Sequence, residues 1–178
     1  TKLQISETIE LSMITYGMWL FIGIFIHLAA AETLTRAPTI FFEYSYLIKR
    51  TVFPSELIPI FNLCSSMVNS VIAVVALSIF SLIYSASFPW GVIYLPLILI
   101  PYFIILLSLS TLLSYINIFF RDLRHLIPLI NTVLLFVSPI FYPMSLVPED
   151  IATWLYLNPL TVVIEYSRSA FLFNESPF

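Results

Sequence analysis

The feature that most constrains the fold is a long stretch without formal charge. Residues 57–120 contain no aspartate, glutamate, lysine or arginine. Because a helix of roughly 20 apolar residues crosses a bilayer core about 30 Å thick, the stretch is too long for one crossing and fits two. A segment at residues 85–91 holds small residues, Pro89 and Gly91, which favour a turn. The sequence therefore predicts two membrane-spanning helices, over about residues 52–84 and 92–117, joined by a tight hairpin.

Composition supports an all-α, polytopic transmembrane helical bundle that forms a single domain over residues 1–178. The chain is 60% hydrophobic and 10% charged, whereas an ordinary soluble domain carries about 25% charged residues. The net charge of −3 includes no basic stripe, which argues against a nucleic-acid partner. The single cysteine, Cys64, has no intrachain disulfide partner, and its place inside a predicted span predicts a buried, inert thiol.

Two further spans are predicted, over about residues 11–31 and 126–142. His27 lies near one end of the first of them, which favours an interfacial side chain. Between the first two spans, residues 32–56 mix charges with apolar and aromatic side chains. The pattern predicts a helix over residues 39–50 that lies in the membrane interface. Residues 37–39 offer a break before this helix, with Thr39 as a candidate N-cap.

The last part of the chain has an interrupted apolar segment. Residues 151–164 are too few to cross the membrane and are broken at Asn158-Pro159. They predict a short re-entrant or interfacial helical hairpin within residues 143–168.

The distribution of basic residues predicts the orientation. Five of the seven lysines and arginines lie in the loops at residues 32–56 and 117–125, which places both loops in the cytoplasm. Both ends of the sequence then lie outside, and no signal peptide precedes residue 11. We therefore expect one further span before residue 1 and one after residue 178, giving about six in the intact protein.

The sequence gives little support for catalysis or ion coupling. His27 and His125 stand alone rather than at metal-ligand spacing, and Glu149-Asp150 has the position of a helix N-terminus, which favours carboxylates. No GxxxxGK[ST] loop is present. Apart from Glu56, the predicted spans carry no charged residue of the kind that ion relays require. We expect no catalytic residue, metal or cofactor in this chain.

Four blocks in order carry a resemblance: LIKRTVFPSELIP from residue 47, NIFFRDLRHLIPLI from residue 117, SPIFYP with VPED from residue 138, and LNPLTVVIEYSR from residue 157. Together they resemble the membrane subunit of type-2 ABC transporters that export O-antigen, capsule or teichoic acid. The resemblance covers nearly the whole chain, although such permeases have six spans and this sequence predicts four.

The resemblance implies that residues 39–50, within the cytoplasmic segment 32–51, form a coupling helix that docks on a separate ATPase subunit. That subunit would bind ATP and Mg²⁺. Residues with an implied coupling role are Arg36, Glu43, Leu47, Lys49, Arg50, Arg121 and Asp122. Two alternatives remain open. The helix would instead face lipid, with its basic side chains on anionic headgroups, and Arg121 and Asp122 would only anchor the loop and pair locally.

A glycan pore is expected to be wide and lined with aromatic side chains, because the C–H faces of sugar rings stack on aromatic planes. The candidate channel residues are Tyr16, Trp19, Phe136, Phe141, Tyr142, Trp154 and Tyr156. The alternative for each is a place in the aromatic belt at the membrane surface or in the core.

The resemblance thus implies a multi-pass permease of the cytoplasmic membrane that exports lipid-linked polysaccharide, as a homodimer with two ATPase subunits. Two other functions stay open: a type-2 ABC permease for a small lipid or drug, and a membrane scaffold that transports nothing.

Overall fold

The computed structural model describes residues 2–46, 54–55, 57–85 and 89–173. Within these residues the secondary structure is helical, with no β-strand, which confirms the all-α fold class. The α-helices are α1 (Lys2–Arg36), α2 (Ile40–Glu43), α3 (Leu57–Ser85), α4 (Leu95–Phe119), α5 (Leu123–Val137), α6 (Glu149–Leu155) and α7 (Pro159–Phe173). Short 3-10 helices cover Trp90–Tyr94 and Met144–Leu146.

Three described helices are long and apolar enough to cross a membrane: Met13–Arg36, Leu57–Tyr84 and Trp90–Phe119. Their outer surfaces carry many large apolar side chains, as a lipid-facing surface requires; on α3, for example, Val71, Ile72 and Val75 are exposed. Helix α5 is also apolar but has only 15 residues. The bundle is thus a polytopic membrane fold, and the number of four spans stays a prediction.

Helix α1 is the central element of the bundle. It packs against α3, α4, α5 and α7. Met18, Ile22 and Ile26 of α1 join one buried cluster with Tyr102 of α4 and Ile164 of α7. Because lipid is as apolar as these side chains, close packing and interhelical hydrogen bonds hold such a bundle together. The central position of α1 means that a displacement of its ends reaches every long helix.

Helix α1 continues to Arg36, whereas the first span was expected to end at residue 31. Alanines and leucines are strong helix formers, and the single charge of Glu32 does not stop a helix. The helix ends before Pro38, which disfavours helical geometry in the residue before it. Residues 32–36 therefore belong to the spanning helix, and the predicted coupling segment begins on its last turn.

The helix predicted over residues 39–50 is interrupted where the structure describes it. Helix α2 has four residues, and Tyr44 forms a turn after it. Thr39 occupies the predicted N-cap position before α2, but its backbone angles are helical and its side chain makes no capping hydrogen bond. Its hydroxyl donates to the Glu43 carboxylate instead, at 2.8 Å. Leu47, Lys49 and Arg50 lie outside the described residues.

Two side chains occupy environments different from those expected. Cys64 is exposed on the outer face of α3. The inward face of this helix carries Ile58, Asn62 and Ser66, four residues apart, and position 64 lies between them on the other side. His27 is buried among the packed helices, whereas an interfacial side chain was expected. It lies in the middle of the spanning part of α1, which runs from Met13 to Arg36.

The fourth predicted span is a shorter helix followed by an irregular turn. Helix α5 begins at Leu123, three residues before the predicted start of the span, and contains Pro128. It ends at Val137, just before Ser138 and Pro139. Residues 138–142 are not helical.

The segment predicted as a helical hairpin, which we call the hairpin, contains two helices, α6 and α7, and α7 continues to Phe173, beyond the predicted limit at residue 168. Its re-entrant or interfacial place in the membrane stays a prediction. The break falls where Asn158-Pro159 predicted it, and the Asn158 side chain accepts a hydrogen bond from the Leu160 amide at 3.0 Å. Asn158 also donates to Ser138 at 3.2 Å, which links the break to the turn after α5. Helix α7 packs against α1, α4 and the 3-10 helix Trp90–Tyr94.

Candidate functional site

The interior of the bundle becomes polar towards the C-terminal end of α1. The Thr33 hydroxyl lies 2.7 Å from the Ser66 hydroxyl of α3. The Asn62 amide, one turn earlier on α3, donates to the Thr33 carbonyl at 2.9 Å. All three side chains are buried. Nearby, Asn69 donates to the Glu32 carboxylate at 2.9 Å. Several hydrogen bonds therefore join α3 to the C-terminal end of α1.

Helices α4 and α5 also form hydrogen bonds at this end of α1. The Ser114 hydroxyl has two acceptors for its one proton, and one of them is the Ser110 carbonyl of its own helix at 2.7 Å. Across to α1, Ser114 bonds to the Ala37 carbonyl at 2.7 Å, and Asn117 donates to the Pro38 carbonyl at 2.6 Å. These two carbonyls follow the last turn of α1, where the helix leaves its final acceptors unsatisfied. From α5, Asn131 donates to the Thr35 hydroxyl at 2.8 Å. Five side chains of α3, α4 and α5 thus hydrogen-bond to the end of α1 or to the residues that follow it, and we call them the polar collar: Asn62, Ser66, Ser114, Asn117 and Asn131.

The contribution of the polar collar to stability can be tested at Ser114 of α4. Replacing Ser114 with alanine removes the bond to Ala37 and is expected to lower the free energy of unfolding of the intact permease by about 1 kcal/mol. Ser108→Ala is the matched control, because Ser108 is exposed and bonds only to Ile104 within its own helix. Thermal unfolding in detergent compares the two; equal midpoints would show that the collar bond is not stabilising.

The polar collar lies beside the turn at residues 37–39 that joins α1 to α2. We call this turn, with the last turn of α1 and the whole of α2, the α1–α2 corner. Ile40 and Phe41 of α2 are buried in a small cluster with Ile58 of α3. On the outer side, Arg36 and Glu43 form an ion pair at 3.3 Å with side chains about half exposed, at 48% and 41%. An exposed pair of this kind contributes at most about 1 kcal/mol. The corner is thus anchored inside and charged outside, and it brings these two predicted coupling residues together.

The loop between α4 and α5 lies at the same end of the bundle. Asn117, near the end of α4, touches Pro38 at the corner, and Arg121 with Asp122 follows within one turn of chain. Both charged side chains are exposed. Phe119 and Phe120 beside them are 82% and 68% exposed, and the sequence reasoning missed them. Two adjacent phenylalanines at the end of a span were the available signal.

The candidate channel aromatics form two pairs at the other end of the bundle. Tyr16 and Trp19 are stacked, with ring centroids 5.8 Å apart. Phe136 and Phe141 lie 6.1 Å apart at a tilt. The Tyr142 hydroxyl donates to the Val137 carbonyl at 2.6 Å.

The remaining two candidates lie on the hairpin. Trp154 is 74% exposed and Tyr156 is 52% exposed. Within the described part of the chain, the ring contacts join two separate pairs rather than all seven residues.

A buried arginine at this end was missed as a site residue. Arg168 of α7 is 2% exposed and donates to the carbonyls of Pro139 and Ile140 at 2.6 and 2.9 Å. Burial lowers the pKa of Arg168 to about 10, while the nearby Glu165 carboxylate favours the charged form. An arginine three residues after a glutamate, in a helix whose other side chains are mostly apolar, was the signal in the sequence.

An apolar groove runs along the lipid-facing side between α3 and α4. Its volume is about 300 Å³, and its lining includes Met67, Val71, Val75, Leu95 and Phe103. Ser70 contributes the one hydroxyl among the lining residues. The lining is therefore apolar apart from this hydroxyl.

The sequence was compared with known proteins. A model of the family described as ABC-2 type transporter matches residues 2–172. An O-antigen export system permease protein of Klebsiella pneumoniae is 29% identical over 161 residues, and a second protein of the same name and organism gives the same identity. A Myxococcus xanthus protein of that name is 25% identical over 133 residues.

The alignments cover most of this chain but only part of each relative. They include 88% of this chain and 61% of the two Klebsiella proteins, and 74% and 51% for the Myxococcus protein. The chain thus spans about three fifths of the length of the two Klebsiella proteins. Because the family model covers nearly all of the described helices, the chain belongs to the ABC-2 type transporter family.

Proposed function

We propose that the chain is the permease subunit of an ATP-driven exporter that moves lipid-linked polysaccharide across the cytoplasmic membrane. The observation that carries the proposal is the similarity, over 88% of the chain, to proteins named as O-antigen export permeases. The all-helical membrane bundle agrees with it. The permease would work as a homodimer with two ATPase subunits, and those subunits would bind ATP and Mg²⁺.

In this proposal the α1–α2 corner receives force from the ATPase. Arg36 and Glu43 stand on its outer face, and Arg121 and Asp122 lie at the same end of the bundle. Leu47, Lys49 and Arg50 follow the corner in sequence. The exposed charges favour a protein partner over a purely apolar contact, because charges at an interface select a complementary surface.

The polar collar would carry the displacement onward. It bonds the end of α1 to α3, α4 and α5 through side chains that are largely buried. Such bonds are directional, and breaking one leaves a buried polar group without its partner. A push on the corner would therefore tilt the three helices together rather than bend α1 alone.

The aromatic pairs would contact the glycan. Sugar rings present C–H faces that pack against aromatic planes, and the stacked Tyr16–Trp19 pair and the Phe136–Phe141 pair offer such planes. Tyr142, Trp154 and Tyr156 would add contacts around the hairpin. Each copy would supply half of the path between two permeases.

Loss of the gene tests this function. Cells without the permease are expected to lose their surface polysaccharide and to accumulate lipid-linked glycan on the inner face of the membrane. Complementation with the intact gene is expected to restore both. Normal surface glycan in the deletion strain would contradict the proposal, and the scaffold alternative predicts that result.

A small lipid or drug is the second candidate substrate. The apolar groove of about 300 Å³ between α3 and α4 favours it, because an acyl chain would fit such a surface. This candidate predicts normal surface glycan in the deletion strain together with a change in the lipid composition of the outer leaflet or in drug resistance.

A further inference from the structure

We propose that Arg168 is a positioning residue that fixes the α6–α7 hairpin to α1, and that Gly23 is glycine because the guanidinium needs its space. The hairpin would then move with the central helix as one unit. The positioning itself follows from the contacts of this chain, and only its consequence for export rests on the proposed function.

The guanidinium joins three separate segments of the chain. Its Nη1 and Nη2 donate to the carbonyls of Pro139 and Ile140 in the turn after α5. Its Nε donates to the Trp19 carbonyl of α1 at 3.2 Å. Within α7, Nη1 also bonds to the Glu165 carboxylate at 3.0 Å. Arginine has five donors in a rigid fork, and lysine cannot reach several separate acceptors in this way.

A stacking contact adds to these hydrogen bonds. The guanidinium carbon lies 3.4 Å from the centre of the Trp19 ring, a cation–π contact. Tyr16 stacks on Trp19 in turn. Arg168 therefore holds both the backbone and the ring of Trp19, and it sets the distance between that ring and the hairpin.

Gly23 explains why the guanidinium fits so close to α1. A Cβ atom at position 23 would lie 2.7 Å from Arg168 Nη2 and 3.4 Å from the Ile140 side chain. Alanine would therefore require the end of the Arg168 side chain to shift relative to its acceptors. Gly17, six residues earlier on the same helix, has nothing within 4 Å of its own added Cβ. The two glycines form a matched pair for an experiment.

The direct test measures the environment of Trp19 in the intact permease, in a variant where Trp19 is the sole tryptophan. Gly23→Ala and Arg168→Gln are expected to raise acrylamide quenching of Trp19 at least twofold, and Gly17→Ala is expected to leave it unchanged. Arg168→Lys should not restore the parent value, because it lacks the forked donors. Parent-like quenching in Gly23→Ala and Arg168→Gln would overturn the proposal.

A double-mutant cycle separates the shared contact from general damage. If both residues act through one contact, Gly23→Ala combined with Arg168→Lys should be no less stable to heat than Arg168→Lys alone. Additive losses would overturn the proposal even if single variants unfold easily.

An export assay gives the functional arm. Gly23→Ala is expected to lower surface glycan at least tenfold while the ATPase subunit still copurifies, and Gly17→Ala should export normally. Normal export by Gly23→Ala beside a changed Trp19 signal would overturn the part of the proposal that concerns export. If the parent itself exports no glycan, the proposed function fails, and the quenching measurement still tests the positioning role.

Discussion

Replacing Gly91 with alanine is expected to prevent the intact permease from accumulating as folded protein. Gly91 is buried in the 3-10 helix before α4, and an added Cβ would overlap the backbone carbonyl of Ala170 in α7. No side-chain rotation relieves an overlap with backbone, so the 3-10 helix Trp90–Tyr94 and α7 would have to separate. We expect a loss of about 3 kcal/mol or more in the free energy of unfolding, which is large for one methyl group.

The measurement is the yield of monodisperse protein after membrane extraction, together with its thermal midpoint in detergent. Gly17→Ala is the matched control, since its added Cβ meets open space. A Gly91→Ala protein with the yield and midpoint of the parent would show that the close approach of the 3-10 helix to α7 is not required.

Reversing the charges of Lys49 and Arg50, which follow the α1–α2 corner in sequence, is expected to abolish export. Lys49→Glu with Arg50→Glu changes the local charge by four units in the segment that the proposal assigns to the ATPase contact. Like charges facing each other across an interface oppose binding, which costs several kcal/mol. We expect at least a tenfold loss of surface glycan and loss of ATPase copurification, with membrane insertion intact.

The control for this variant is Lys2→Glu. Lys2 is assigned to the opposite side of the membrane by the distribution of basic residues, so the same type of change there should leave ATPase binding intact. Normal glycan export by the Lys49→Glu, Arg50→Glu double variant would remove the coupling role from this segment.

Hydropathy predicted the framework of the fold. The charge-free stretch became α3 and α4, with the 3-10 helix Trp90–Tyr94 before α4, and Asn158-Pro159 divides α6 from α7. Residues 86–88 of the predicted turn lie outside the described residues. These features depend on local sequence and on the length of helix that a bilayer demands. Helix ends were less predictable, since α1 runs through Glu32 to Arg36 when helix propensity outweighs one charge.

The polar interior was not predicted, although the sequence contains its signal. Asn62 and Ser66 are four residues apart, and Ser110, Ser114 and Asn117 recur at helical spacing. In a membrane helix such a stripe faces other helices rather than lipid. Which backbone carbonyls it meets depends on the packing of α1 in the centre, and one sequence does not specify that.

Among the charged site residues, some contacts could be predicted from the sequence and others could not. Arg36 and Glu43 were assigned to one segment, and the structure joins them in an ion pair. Arg168 was not among the predicted site residues, because the segments that bury it are distant in sequence: Trp19 lies on α1 and Pro139 follows α5.

The orientation of the α1–α2 corner is the central claim, and cysteine labelling measures it directly. A cysteine at position 49, in a Cys64→Ser background, is treated with a membrane-impermeant maleimide in intact spheroplasts and again after the membrane is opened. We predict labelling only after opening, because the ATPase must reach this segment from the cytoplasm. Labelling in intact spheroplasts would place the corner outside the cell and contradict both the orientation and the ATPase contact.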